Sequence, residues 1–215
     1  MEDIRIFCEN DGKSYSFPMG TDLKTISDRI CPTVACKRTE CETDVLAALV
    51  DNQLKELSFK ALTTHNVRFI GYDHPVGRRT SIRSLCFVLQ NVIREMYPDK
   101  VLAIDYSLPS GLYCEIREKD ELYDGRPKVY FATDDEIEKI QNRMKEIIQS
   151  DLPFKKTKQT LEDAVKLFES NGQKEKVNLA RSLGRISYSV YFLDGQADTF
   201  HGPLTPSAGY LKTFD

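Results

Sequence analysis

Histidine is scarce in this chain of 215 residues: His65, His74 and His201 are the three it has, far apart in sequence, and they leave little imidazole for a metal centre. No two glycines lie two positions apart, which excludes a G-x-G-x-x-G dinucleotide loop. Lys212-Thr213 follows no glycine-rich stretch that could cradle a phosphate. Apolar runs never approach the ~20 residues of a membrane-crossing helix, and Met1-Glu2-Asp3 lacks the basic then apolar opening of a signal peptide. A soluble, cytoplasmic protein without membrane contact is expected. A dominant charge is missing too: 30 Lys and Arg against 33 Asp and Glu leave a net charge of −3, so any attraction to nucleic acid must come from a local patch.

Disulfides are not expected. Cys8, Cys31, Cys36, Cys41, Cys86 and Cys114 are too few and too scattered to staple a chain of this length, and they are read as free thiols, with Cys8 and Cys86 in the core. Cys31, Cys36 and Cys41 recur at intervals of five, whereas structural zinc sites favour shorter loops between paired cysteines. No bound metal is expected. Cys86 falls on an apolar helix stripe, where a thiol behaves more often as a small hydrophobe than as a nucleophile.

What is present is a run of short, well-punctuated elements. Ile4 to Cys8 alternates, Asp11-Gly12 breaks it, and Tyr15 to Phe17 resumes, the pattern of a hairpin. Thr21 is the expected N-cap of a helix ending at Ile30, with Leu23, Ile26 and Ile30 on one face. Residues 31–44 carry no pattern. Val45 to Val50 reads as a buried strand, Asp51-Asn52-Gln53 as a turn and Val67 to Ile70 as a last strand. Tyr72 to Thr80, with Pro75 and Gly77, is read as a linker.

Beyond it, Thr80 to Tyr97 predicts a helix stopped by Pro98, with Ile82, Leu85, Cys86, Leu89, Val92, Ile93 and Met96 inward. Val101–Tyr106 and Leu112–Ile116 flank Pro109-Ser110-Gly111 as a hairpin. Thr133 to Glu136 opens a capped helix that carries Ile137, Ile140, Met144, Ile147 and Ile148 and ends by Pro153. Thr160 to Gly172 and Lys174 to Leu183 give two more helices, and Ile186–Phe192 with Ala197–His201 closes as a hairpin around Asp194-Gly195. Helices and hairpins without a βαβ rhythm make the fold class α+β.

One local feature stands out. Arg83, Phe87, Gln90 and Arg94 form a second stripe on the long helix, roughly 100° from the apolar one. Two readings are open: a second layer of the same domain covers Phe87, or an Arg-Phe-Arg stripe floors a pocket for an anionic or planar ligand.

Phe17-Pro18-Met19-Gly20-Thr21 before a helix, and the Val50-Asp51-Asn52-Gln53-Leu54 turn, resemble a TGS domain, the small ubiquitin-like β-grasp module of threonyl-tRNA synthetases, stringent-response enzymes and some GTPases. The resemblance covers residues 1–71 and makes residues 31–44 an insertion. Residues 78–215 resemble the second additional (editing) domain of threonyl- and alanyl-tRNA synthetases, through Arg94-Glu95-Met96-Tyr97-Pro98, Gly111-Leu112-Tyr113, the Ile140–Ile148 helix and the segments 198–204 and 207–210. The resemblance thus implies an α+β domain built around a long helix.

The same resemblance implies that catalysis has been lost. The family's His-x-x-x-His lands on Arg83 and Phe87, and its later Cys-x-x-x-His on Phe200 and Leu204. Phenyl and isobutyl groups neither bind metal nor move protons, and a guanidinium stays protonated. His201 is one position off the cysteine's place, and on a strand it would face the other way. No catalytic residue and no metal are therefore assigned, and Arg83, Phe87, Gln90, Phe200, His201 and Leu204 are the candidate ligand pocket.

Arg83 to Leu89 and Gly209 to Asp215 further resemble the N-terminal half of bacterial uridine-kinase-type nucleoside kinases. That implies a parent enzyme whose following domain uses ATP and Mg, with no cofactor in this fragment. The first functional expectation is a non-catalytic module that binds a nucleotide or an RNA end and regulates the attached kinase. Its rival is a tRNA-editing-like deacylase or RNA-binding module related to threonyl-tRNA synthetase. A third is a homodimerisation module, which an exposed apolar patch would favour.

Overall fold

The computed structural model describes residues 2–38, 44–108, 111–212 and 214, with backbone alone at 31–38, 120 and 121. It is α+β, with helices and three separate sheets. β1 (Asp3–Cys8) alternates strictly, so Ile4, Ile6 and Cys8 turn inward. Gly12, at φ +72°, turns the chain into β2 (Lys13–Pro18), a left-handed conformation that glycine adopts without steric cost.

Helix α1 (Leu23–Arg38) buries Leu23, Ile26 and Ile30 as the spacing predicts. Its cap differs: Asp22 Oδ1 accepts from the Thr25 N–H at 2.8 Å, while the Thr21 hydroxyl donates back to the Pro18 carbonyl. The helix also runs on past Ile30 through Pro32. Pro32 lacks the N–H that would bond four residues back, which erases the sequence signal although the chain stays helical. The candidate thiols Cys31, Cys36 and Cys41 lie outside the described side chains.

β3 (Ala47–Val50) turns through Asp51 and Asn52, at φ 48° and 63°, into β4 (Gln53–Lys55), and β5 (His65–Ile70) follows. Positive φ at both turn residues matches the twist of a two-residue hairpin. The sheet order is β2-β1-β5-β3-β4, with β1 and β5 parallel at its centre. α1 lies across one face through Ile4, Ile6, Phe17, Leu23, Ile26 and Val67, the β-grasp arrangement.

The expected linker at 72–80 is mostly helix, since α2 spans Pro75–Met96. His74 Nδ1 caps it by accepting from the Val76 N–H at 3.1 Å, and Pro75 stands at the first helical position, where a missing N–H costs nothing. Gly77 is buried against the end of β5: a β-carbon there would lie 1.9 Å from the Gly71 carbonyl oxygen. The inward face of α2 is also rotated from the expected stripe, with Ser84, Phe87 and Asn91 buried and Ile82 exposed.

β6 (Lys100–Leu108), β7 (Gly111–Tyr123) and β8 (Arg126–Tyr130) form a meander longer than the expected hairpin. β8 escaped the sequence because Arg-Pro-Lys-Val-Tyr does not alternate and Pro127 is tolerated only at a sheet edge, where β8 lies. The turn residues Pro109 and Ser110 fall outside the described residues. Leu102 and Ile116 pack toward α2, while Tyr106 and Tyr113 stack at 4.8 Å on an exposed side.

α3 (Asp134–Gln149) carries the expected capping box of Thr133 and Glu136 and buries Ile140, Met144 and Ile147. Ile137 is exposed instead. β9 (Lys155–Thr160) was not foreseen, because Lys-Lys-Thr-Lys-Gln-Thr contains no apolar residue to set a period. α4 (Leu161–Ser170), capped by Thr160, and α5 (Lys174–Leu183) follow. β10 (Ser187–Leu193) and β11 (Gln196–Asp198) complete a sheet ordered β11-β10-β9. The second strand of that hairpin thus stops at Asp198, short of His201. Among the described residues no helix is long and apolar enough to cross a membrane.

Two substitutions probe this fold. Gly to Ala inside a helix ordinarily stabilises by ~1 kcal/mol, but Gly77→Ala should destabilise by ~1–3 kcal/mol in urea unfolding, because the added methyl meets fixed backbone. Glu136 accepts from Tyr130 Oη at 2.6 Å and from the Thr133 N–H at 2.8 Å, and these bonds hold its carboxyl at about 2, below its ordinary 4.5. A depressed carboxyl stabilises above its unfolded value and loses that contribution as pH falls through its folded one. The difference in Tm between wild type and Glu136→Gln should therefore shrink as pH drops from 4.5 toward 2; a constant difference contradicts the assignment.

Candidate functional site

The second stripe of α2 faces the β10–β11 hairpin and the loop after it. Arg83 Nη1 donates to the Pro203 carbonyl at 2.6 Å, Ser84 Oγ accepts from the Thr205 N–H at 2.9 Å, and Asn91 Nδ2 donates to the Leu193 carbonyl at 3.0 Å. One turn further, Arg94 donates to Asp198 Oδ2 at 2.8 Å. Amphipathic spacing alone misplaces Phe87 because this side of the helix is a core face in its own right. The Phe87 ring is fully buried, 5.8 Å from Phe154 and 5.1 Å from Phe200.

Of the six predicted pocket residues, the structure gathers Arg83, Phe87, Phe200 and Leu204 at the root of the 199–206 loop. Phe87 and Leu204 are core. Arg83 is half-buried, with its guanidinium against Gly202, whose φ is +118° and where a β-carbon would come within 3.0 Å of Arg83 Cζ. Gln90 is half-buried on the same helix. Phe200 and His201 line a cleft. His201 sits in a loop rather than on a strand, so strand alternation does not decide its direction, and its side chain is exposed.

That cleft, of about 710 Å³, runs between Leu54–Phe59 of the N-terminal sheet region and β9, α5, β10 and the 199–203 loop. Lys55, Lys156, Lys158, Lys176 and Arg185 line it, interleaved with Phe59, Tyr188 and Phe200. Among the described residues Glu56 is the one carboxylate on its walls. Glu56 Oε1 accepts from Lys156 Nζ at 2.8 Å and from the buried Tyr191 hydroxyl. Lys158 and Arg185 have no carboxylate partner among the described residues.

Behind the cleft wall, Asp198 is fully buried and shared by Arg94 and Lys176, with the Thr199 N–H on Oδ1 at 2.6 Å. Burial, then the Arg94 guanidinium, pushes the Lys176 ammonium down to about 7, against the smaller pull of Glu175. Burial lowers Arg94 to about 10 and also lowers Arg83. Burial, and next Glu56, push the Tyr191 phenol up, so it stays a neutral donor. Cys86 is only half-buried rather than core, yet burial pushes its thiol up to about 11, which leaves it protonated and a poor nucleophile near neutral pH.

The described residues of the site therefore offer cations, aromatic faces and neutral donors. Glu56, Lys55, Lys156, Lys158, Lys176 and Arg185 lie outside the pocket that the sequence predicts. A signal existed in Lys155-Lys156-Thr157-Lys158, a basic run with no acid between, but nothing local says which surface it faces.

No family model matches the chain. It is 27% identical to the threonine–tRNA ligase of Carboxydothermus hydrogenoformans over 199 residues, 92% of this chain and 29% of that protein. It is 28% identical over 210 residues to the enzyme of Clostridium kluyveri, 97% of this chain and 30% of that one. Over 204 residues it is 24% identical to the enzyme of Francisella tularensis, at 95% and 30% coverage. The chain is thus related to threonine–tRNA ligases along nearly its whole length, and spans about 30% of theirs.

A core role for Phe87 has a measurable consequence. Phe87→Ala should cost ~3–5 kcal/mol in denaturant unfolding, the range for emptying a packed aromatic site; a loss under ~1 kcal/mol would mean that the ring borders open space.

Proposed function

We propose that this chain is a non-catalytic module related to threonine–tRNA ligases that holds a single-stranded RNA end in the cleft without hydrolysing it. The carrying observation is the lining: four cations, Lys55, Lys156, Lys158 and Arg185, beside the Asp198-paired Lys176, and among the described residues a single carboxylate, interleaved with aromatic rings. Single-stranded nucleic acid is bound by this combination, with backbone phosphates on the cations and bases stacked on the rings. The net charge of −3 is no obstacle, because the attraction is local. The curated relatives are named for their action on tRNA, which favours an RNA ligand.

Hydrolysis is disfavoured by the side chains at the positions of the editing motif. Phe87 and Leu204 are buried hydrocarbon, Phe200 is packed on Phe87, and Arg83 is committed to the Pro203 carbonyl. None of them can hold a metal or exchange a proton near neutral pH.

A second reading makes the chain the N-terminal, regulatory part of a uridine-kinase-type nucleoside kinase, with a nucleotide in the cleft. Replacement of all four motif positions favours it, since a parent that does not edit tRNA has no use for them. The relatives give this parent no support, and the RNA reading is preferred.

Fluorescence anisotropy with a labelled single-stranded RNA of about eight nucleotides, within the ~4–16 that a small domain covers, tests the choice. Binding should weaken with salt, and Lys158→Ala should reduce the slope of log K against log salt by about 0.7, one phosphate contact on a single strand. Mischarged tRNA should survive incubation with the protein. Binding of a nucleoside triphosphate but not of RNA would move the assignment to the kinase reading, and binding of neither would remove the cleft as a site.

A further inference from the structure

We propose that the Glu56 carboxylate occupies the phosphate position of the cleft, and that a phosphate-bearing ligand displaces it from Lys156 and Tyr191. The inference rests on the reading of the cleft as an anion-binding site and adds a mechanism by which occupancy is sensed.

Its first support is chemical. An ammonium and a phenol converging on one oxygen, Lys156 Nζ at 2.8 Å and the Tyr191 hydroxyl on Glu56 Oε1, form a donor set that suits a phosphate oxygen as well as a carboxylate. Tyr191 is a donor and not a competing anion, because burial and Glu56 hold its proton on. Its ring packs edge-on to Phe200 at 6.0 Å, and Lys156 Nζ lies 5.2 Å from its centroid. The Tyr191 donor is thus fixed from behind by the core.

The second support is where Glu56 comes from. It begins the β4–β5 connection, whose next residues are bound to the start of α1: Leu23 N–H to the Phe59 carbonyl at 3.0 Å, Lys24 N–H to the Leu57 carbonyl at 2.8 Å, and Ala61 N–H to the Thr21 carbonyl at 3.0 Å. Leu57 and Ala61 are buried. Glu56 is therefore an arm of the N-terminal sheet region reaching onto β9 and β10, and its side chain is 14% exposed. The backbone is held, so displacement needs only a side-chain rotation toward solvent. Once the carboxylate leaves, the cleft loses its only described negative charge and the two walls lose both bonds that Glu56 makes across them.

The two sources of phosphate chemistry, an RNA backbone and a free nucleotide, are separated by titrating the full chain with a single-stranded RNA lacking a terminal phosphate and, in parallel, with a nucleoside monophosphate. Glu56→Gln keeps a hydrogen-bonding side chain and removes the competing charge, so affinity for the true class of ligand should tighten about tenfold, equivalent to 1.4 kcal/mol. A contact that served only to join the walls would lower Tm and leave affinity unchanged or weaker. Independently of any variant, amidation of the wild-type Glu56 carboxylate by a carbodiimide and an amine, followed by mass spectrometry, should rise when the ligand is added. Binding by the wild type with no tightening in Glu56→Gln and no rise in Glu56 amidation overturns the displacement while leaving the site standing. Binding of neither probe by either chain overturns both.

Discussion

Asp198 is wholly buried where α2, α5 and the end of β11 meet, and its charge is met by Arg94 from one helix and Lys176 from the other. A carboxylate taken out of water needs such partners, and removing either strands a charge at a cost of several kcal/mol. The geometry of the cleft follows. Asp198 fixes the point at which the β10–β11 hairpin becomes loop, Lys176 lies 5.8 Å from the Phe200 ring, and Arg83 and Ser84 on the same face of α2 hold the descending loop at Pro203 and Thr205. One helix face positions an entire wall through side-chain bonds to backbone, each satisfying a polar group that would otherwise be buried unpaired.

With that wall fixed, hydrocarbon fills the space between α2 and the descending loop. Phe87, Phe154, Phe200 and Leu204 belong to one core, and a packed core admits neither water nor metal. The open volume lies alongside, between the wall and the N-terminal sheet region, and it is lined by groups suited to binding. The packed core and the open cleft thus lie side by side along the same wall.

Charge also accounts for the place of Glu56 between the two walls. A mostly cationic cleft repels itself, and one carboxylate from the opposite wall offsets part of that charge.

Much of the fold could be read from residue order. Alternation placed β1, helical spacing placed the inner faces of α1 and α3, and the capping box of Thr133 and Glu136 placed the start of α3 to the residue, because these features depend on neighbours a few positions apart. The resemblance to threonyl-tRNA synthetases was legible in the same way, from short contiguous segments. Three things were not. β9 has no apolar residue and exists as a strand because β10 pairs with it; Phe87 lies off the apolar stripe and is buried because a distant hairpin covers it; and the cleft is assembled from residues 54–59, 156–158, 176–191 and 199–203. Lysines scattered along a weakly acidic chain carry no sequence signal of a common target. Only long-range packing sets them around one cavity, since the bonds that join its two walls link side chains 100 and 135 residues apart.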